Sequence, residues 1–189
     1  MLRPARVAAL LLLIAAPLGA QRQFIVTAFG GGADHLADLK SSPPAWFMPG
    51  YSVGASIGYG LNNSFSIQGD FTYTRNPVEG ATPLAGHDVN RFYYGVHGEY
   101  RYQLARNAAP FVFAGVGAVT IDQLGVDNFS PATRPALMYG GGMFFAVPQT
   151  PVEIVGEVKG LTYNWNMAGF HRNMVDVTYT AGLSYRFGF

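Results

Sequence analysis

A chain of 189 residues with 12 Lys+Arg, 11 Asp+Glu and 12% charged residues carries half the charge usual for a soluble domain, about 25%, while 49% of its residues are apolar and its mean hydropathy is +0.15. That composition excludes a disordered chain, and a net charge of +1 gives no clustered basic surface on which to expect nucleic acid. The absence of cysteine excludes disulfides, a thiolate nucleophile and Cys-ligated metal, and the length fits one domain.

Arg3 and Arg6, with no acid among residues 1–6, precede an unbroken apolar run at residues 7–16 and then Pro17, Leu18, Gly19 and Ala20. A basic start, a short apolar stretch and small residues at its end make a secretory signal peptide, expected to be cleaved after Ala20. The run is about half of the roughly 20 residues that a spanning helix needs, and no later stretch is long enough for one. Losing Arg3 and Arg6 leaves 10 basic against 11 acidic residues.

From residue 21 onward the periodicity is two, the signature of strands, whose successive side chains point to opposite faces. Residues 24–32 form the first segment. The longest connection follows at residues 33–50, with a turn or two of helix expected at residues 34–40 and an apolar cluster of Ala45, Trp46, Phe47 and Met48 among Pro43, Pro44 and Pro49. Residues 51–60 make the second segment. Residues 64–75 alternate cleanly, with Phe65, Ile67, Phe71 and Tyr73 on one face and Ser66, Gln68, Asp70 and Thr72 on the other. Residues 91–102 do the same: Phe92, Tyr94, Val96 and Tyr100 oppose Arg91, His97, Glu99 and Arg101. Residues 111–122, 136–147 and 152–165 alternate less sharply, and residues 175–189 set Val175, Val177, Tyr179, Leu183, Tyr185 and Phe187 against Asp176, Thr178, Thr180, Ser184 and Arg186. All ten prolines after residue 20 fall between these segments or at their ends, as a residue that cannot donate to a sheet ladder should.

Eight segments alternate between long connections (residues 33–50, 76–90, 123–135 and 166–173) and short ones (residues 61–63, 105–109 and 148–151). An even strand number with short turns at one end and long loops at the other is the pattern of an outer-membrane barrel. The aromatic residues decide which face is outside. Phe65 and Phe71/Tyr73, like the aromatics at the two ends of residues 91–102 about Val96 and Gly98, bracket small residues on their strands, giving two girdles about an apolar band, which a bilayer selects and a dry ligand cavity does not. The expected fold is therefore all-β, an eight-stranded antiparallel up-and-down transmembrane β-barrel at residues 21–189 behind a signal peptide at residues 1–20. Its lumen receives Asp70, Arg91, His97, Glu99, Arg101, Glu153, Glu157, Lys159, Asp176 and Arg186. Eight strands leave room for little more than side chains, so these groups are expected to form a plugging ion network rather than line a wide channel.

The whole segment from residue 21 resembles the small eight-stranded outer-membrane β-barrels of the OmpA/OmpX and opacity-protein type. Thr180, Gly182, Tyr185 and Phe187 match the polar-x-Gly-x-x-aromatic-x-aromatic signal by which the resemblance implies recognition by the barrel-assembly machinery, and the terminal Phe189 is typical of the class. The chain stops at Phe189, so the resemblance implies no cell-wall-binding domain. It implies a monomer in the bacterial outer membrane, in contact with lipid and with no cofactor.

Enzymatic motifs are missing. No Gly-Lys-Ser/Thr follows the glycine runs at residues 30–32 and 140–142, which are read as strand glycine, and the four histidines are too scattered for a metal site. Some eight-stranded barrels modify lipid A, but no histidine here has serine two residues later, and a rim trio of His87, Asp88 and Ser130 is assembled only by assuming that loops meet. His97, Glu99 and Arg101 share a face either as a structural network or as a proton-sensitive latch. Trp46, Phe47 and Met48 either bind an extracellular partner, with Phe129 and Phe170 extending the patch, or pack over the barrel mouth or against the lipid interface. The expected function is a structural or surface-interaction role, adhesion or partner binding, through four extracellular loops. A narrow channel for ions or small solutes stands second and a lipid A-modifying enzyme third.

Overall fold

The computed structural model of the protein describes residues 23–36, 40–41, 44–80, 85–123, 131–167 and 170–188. The expected signal peptide, Phe129, Ser130 and Phe189 lie outside these residues. The strands are β1 (Gln23–His35), β2 (Lys40–Ser41), β3 (Pro44–Phe47), β4 (Gly50–Gly60), β5 (Phe65–Gly80), β6 (Asp88–Arg101), β7 (Ala108–Gln123), β8 (Ala132–Ala146), β9 (Val152–Met167) and β10 (Phe170–Gly188). Strand β4 and each longer strand after it pairs antiparallel with the next in the chain. Strand β1 closes the ring: Val26 faces Ile57 of β4 on one side and Tyr185 of β10 on the other. The result is an eight-stranded up-and-down barrel without a free edge, with β2 and β3 as an added hairpin on β5.

Every clean alternation in the sequence becomes an inside and an outside. On β5 the even positions from Ser66 to Val78 are buried while Phe65, Ile67 and Phe71 are exposed. The outer wall has Phe24, Tyr59, Phe65, Tyr100 and Tyr185 near the end that carries the termini. It has Tyr51, Phe71, Tyr94, Tyr139 and Tyr179 toward the loop end, with Val26, Ile57, Ile67, Val96 and Leu183 between. Apolar area on that scale is unfavourable in water and marks the surface as lipid-facing.

Several strands outrun their expected limits. A bilayer crossing takes about 9–11 residues, and β5, β7 and β9 have 16 each while β10 has 19. The excess lies at the loop end. There β9 and β10 stay paired up to Met167 and Phe170, so of the expected loop at 166–173 residues 166–167 and 170–173 are paired strand, and Phe170 and His171 belong to β10. The helical turn expected at 34–40 is corrected at both ends, where Asp34 and His35 continue β1, paired to Val177 and Asp176, and Lys40 opens β2, while residues 37–39 lie outside the described residues.

Pro44 opens β3, and three further prolines lie inside strands instead of between them, each where one neighbouring strand has run out. Pro135 is paired with β7 before the pairing of β8 to β9 begins at Ala136, and Pro110 lies one residue beyond the last β6 pair, Arg101 with Phe111. Pro77 falls in the gap between β4 and β3, and its missing N–H is replaced by Asn76, whose Nδ2 donates to Met48 O at 3.1 Å. Proline is tolerated at such edges because no ladder bond is lost.

The lumen itself is two-sided. Strands β5 and β6 line it with polar groups, whereas Phe111, Phe113, Phe144 and Val155 form an apolar cluster inside, and Leu161, Trp165 and Met174 join a second one. The glycine run of β8 is strand, as expected, and it makes space for these rings: a Cβ on Gly140 would lie 2.7 Å from Phe113 Cζ.

Candidate functional site: a lumen closed at three levels

At the terminal end the inward positions of β6, β9 and β10 bring Arg101, Glu153 and Arg186 together. Arg101 Nη1 donates to both carboxylate oxygens of Glu153, at 2.8 and 2.9 Å, and Arg186 Nε donates to Oε2 at 2.8 Å. Arg186 Nη1 also reaches Gln23 Oε1 at 3.0 Å. The Arg101 guanidinium lies 3.5 Å over the Phe144 ring, and its Nη2 is 3.7 Å from Glu99. One acid thus ties two cations across the barrel, and Phe144 fills the space beneath them.

At mid-height Lys159, which is fully buried, donates to Asp70 Oδ2 at 2.7 Å and Thr72 Oγ1 at 3.2 Å. Its ammonium lies 3.3 Å from Glu157 Oε1 and 4.7 Å from the centre of the Phe29 ring. Ser56 donates to Gln68, which donates to Ser66. His97 stands 4.8 Å from Phe113, and its Nδ1 has no hydrogen-bond partner among the described residues. The expected trio of His97, Glu99 and Arg101 therefore shares a face without forming one linked latch: Glu99 pairs with Arg101, and His97 packs at a tilt against the Phe113 ring.

At the loop end the centre is Asp176. His35 Nδ1 lies 2.5 Å from its Oδ1, and because a carboxylate only accepts, Nδ1 carries the proton. Tyr163 OH donates to Oδ2 at 2.9 Å, Tyr93 OH donates to the same atom, and Arg91 Nε is 3.7 Å away. Asn76 Oδ1 accepts from Arg91 Nη1 at 3.2 Å, and Asn76 Nδ2 donates to Ala33 O at 3.0 Å, fixing the network to the strand backbones. Phe47 closes this level from above, 4.3 Å from His35, 5.7 Å from Trp165 and 4.1 Å from the Arg91 guanidinium.

All ten lumen residues expected from the sequence face the interior. The apolar triplet is split: Phe47 is 6% exposed and belongs to the plug, Met48 is half-buried, and Trp46, 36% exposed, faces outward. Phe47 is thus no part of a surface patch, since β3 pairs with β5 and directs alternate side chains inward. Sequence reading missed His35, placed in a loop, and the inward aromatics Phe111, Phe113, Tyr163 and Trp165. A histidine two positions beyond the inward Ala33 was the available signal for the first. The rim trio is not supported as a unit: Asp88 is taken by Arg75 in a surface ion pair, and Ser130 lies outside the described residues. That pair is solvent-exposed, so Asp88→Asn is expected to leave the urea unfolding midpoint unchanged within error. Of the assembly signal, Thr180 and Gly182 point inward while Tyr185 and Phe187 face out, their rings 4.4 Å apart.

The space left inside is small. One cavity among Phe29, Gln68, His97, Glu99, Phe144 and Glu157, and another beside Glu99, Arg101 and Arg186, are each about 10 Å³. That is the threshold for a single water. No group of three or more acidic or histidine side chains that could hold a metal ion occurs among the described residues.

Solved structures with this architecture exist. Neisserial surface protein A is 21% identical with a TM-score of 0.63, covering 87% of this chain and 97% of its own. The outer membrane protein OprG from Pseudomonas aeruginosa is 14% identical with a TM-score of 0.62, covering 89% and 96%. Ail, the attachment invasion locus protein of Yersinia pestis, is 15% identical with a TM-score of 0.50, covering 89% and 99%. Among curated proteins no sequence matches. The family model for the outer membrane protein beta-barrel domain spans residues 7–187, nearly the whole sequence, and by that match together with the closed barrel the chain belongs to this family of outer-membrane β-barrels.

Proposed function

We propose that the protein is a surface-interaction protein of the bacterial outer membrane, exported by a signal peptide at residues 1–20, whose barrel is a closed scaffold and whose working surface is its extracellular rim. One observation carries this reading: ion pairs and aromatic rings block the lumen at three levels, leaving cavities of about 10 Å³. A solute path needs all three levels to open at once, each against a buried or partly buried charge pair. At the described part of the rim, strands continue past the bilayer band and present Trp46 and the paired ends of β9 and β10 on hydrogen-bonded backbone. Such a surface suits a partner, and the chemistry inside the lumen offers no reacting group open to a substrate.

The test is single-channel recording of refolded residues 21–189 in planar bilayers, beside Glu99→Gln and Arg101→Gln. A silent bilayer from protein that shows the heat-dependent gel shift of a folded barrel is expected for all three. Discrete steps that change with either substitution would move the function to the lumen. Partner binding is probed on intact cells with Trp46→Ala. Removing the segment around it would not serve, since Phe47 seals the lumen and Gly50 begins β4.

A further inference from the structure

Of the carboxylates in the terminal and middle levels of the lumen, Glu99 is the one farthest from a cation. Asp70 holds Lys159 at 2.7 Å, Glu157 lies 3.3 Å from the same ammonium, and Glu153 takes Arg101 and Arg186 at 2.8 Å each. Glu99 is 3% exposed, and its Oε1 meets Ser66 Oγ at 3.5 Å and Arg101 Nη2 at 3.7 Å. Both contacts are longer than a good hydrogen bond. The charge balance agrees. Asp70, Glu99, Glu153 and Glu157 stand against Arg101, Lys159 and Arg186, so with His97 neutral one negative charge is unmatched. A buried carboxylate without a counter-ion is costly, and taking up a proton removes that cost.

The cavities show how a proton reaches it. Glu99 alone lines both lumen cavities of about 10 Å³. The inner one separates it from Gln68, His97 and Glu157. The mouth cavity lies between Glu99, Arg101 and the turn of Asn62, Asn63 and Ser64 at the terminal end, where Asn63 is exposed. Each has the room and the polar partners for one water.

We propose that Glu99 is a proton-binding site of the lumen, supplied from the terminal side of the barrel through one water in the mouth cavity and tied to Glu157 by one water in the inner cavity. The proton passes from the mouth water to a Glu99 oxygen, one O–H bond forming as another breaks, and it leaves by the same route. The inner water accepts from the Glu99 hydroxyl and donates to Glu157, whose Oε1 has no hydrogen-bond partner among the described residues. The charged or titratable groups about the site are Arg101 and His97 on the same strand, Glu153 and Glu157 on β9, Arg186 on β10 and Asp70 on β5, while the lining from β1, β4 and β8 is uncharged. Lys159 lines neither cavity, so its bond to Asp70 stays dry and the lumen stays closed to solutes. The inference rests on the lumen geometry and is independent of the rim-binding function above.

The chain has four glutamates, Glu79, Glu99, Glu153 and Glu157, so glutamate labelled at its side-chain carboxyl gives four NMR signals. Refolded residues 21–189 in lipid nanodiscs are titrated over the pH range in which the heat-dependent gel shift persists, and each signal is assigned by its Glu→Gln variant. Glu79, exposed at the rim, is the reference for an ordinary carboxylate. At neutral pH the Glu99 signal is expected on the protonated side of the Glu79 signal, as one averaged line that moves reversibly to the carboxylate position as the pH is raised. Glu153 is expected to stay at the carboxylate position. Gly60→Val fills the mouth cavity, and its Cβ comes no closer than 3.4 Å to Gln23 Cβ, so the strand tolerates it. That variant is expected to slow the exchange, so that separate protonated and ionised Glu99 signals replace the averaged line. If Glu99→Gln fails to refold, Glu99→Asp removes the same signal and assigns it. A Glu99 signal that follows Glu79 throughout, or a proton found on Glu153 or Glu157 instead, overturns the proposal. An averaged Glu99 line that survives in Gly60→Val overturns the route.

Discussion

Replacing Lys159 with methionine is expected to be among the most destabilising single changes in the barrel. The ammonium is fully buried, bonded to Asp70 at 2.7 Å and lying 3.3 Å from Glu157. Removing it leaves two carboxylates in a wall of side chains with no cation between them. Breaking a buried pair by deleting one partner costs about 3–5 kcal/mol. At the urea dependence usual for small proteins that lowers the unfolding midpoint by roughly 1–5 M. Methionine fills nearly the same volume, so the loss reports charge rather than a cavity. The triple variant Asp70→Asn, Glu157→Gln, Lys159→Met provides the complementary measurement. Neutralising the whole group removes the uncompensated charge, so most of the stability is expected to return, as it does where buried ion clusters are replaced together. A Lys159→Met barrel that unfolds at the wild-type urea concentration would mean that water reaches this level of the lumen, and the closed-scaffold reading would fall with it.

The same residue shows why part of the interior was legible in the sequence and part was not. On β5, β6 and β10 polar side chains alternate with apolar ones, so the face that carries Asp70, Arg91 or Asp176 has to avoid lipid, and its inward direction follows from charge alone. On β7 that contrast disappears. Phe111, Phe113, Val119 and Ile121 point in while Val112 and Val116 point out, and no desolvation cost distinguishes the two faces. The loop end misleads in the opposite sense. Asn166, His171 and Asn173 are polar, so the strands that hold them look like loop, because above the bilayer band a strand has no apolar outer face to show. The plug lies further still from local signals. His35 and Asp176 are 141 positions apart, and which member of the Trp46, Phe47, Met48 triplet turns inward is decided by the pairing of β3 with β5, which no local pattern announces.

Gly115→Val is expected to abolish folding, although valine is a better strand former than glycine. Gly115 points into the lumen opposite His97 of β6. A Cβ there would lie 2.2 Å from Val96 O and 2.5 Å from His97 Cβ, so the obstacle is the neighbouring strand itself rather than a side chain free to turn away. Strand propensity spans only about 1 kcal/mol. Even adaptable cores lose about 1–3 kcal/mol on overpacking by a few methylenes, and here relief requires β6 and β7 to part, breaking ladder bonds in a closed barrel that has no slack edge. Next along β7, Gly117 meets Tyr94 O at 2.3 Å in the same construction, so the strand cannot shift locally to help. Gly156→Ala is the control. It lies on the outer wall with nothing within 4 Å of an added Cβ, and it is expected to refold with wild-type yield. Heat-dependent gel mobility after refolding from urea separates the two outcomes. A Gly115→Val protein that shifts like wild type would show that β6 and β7 can separate at mid-barrel, and the same freedom would then have to be granted to the ion pairs that close the lumen.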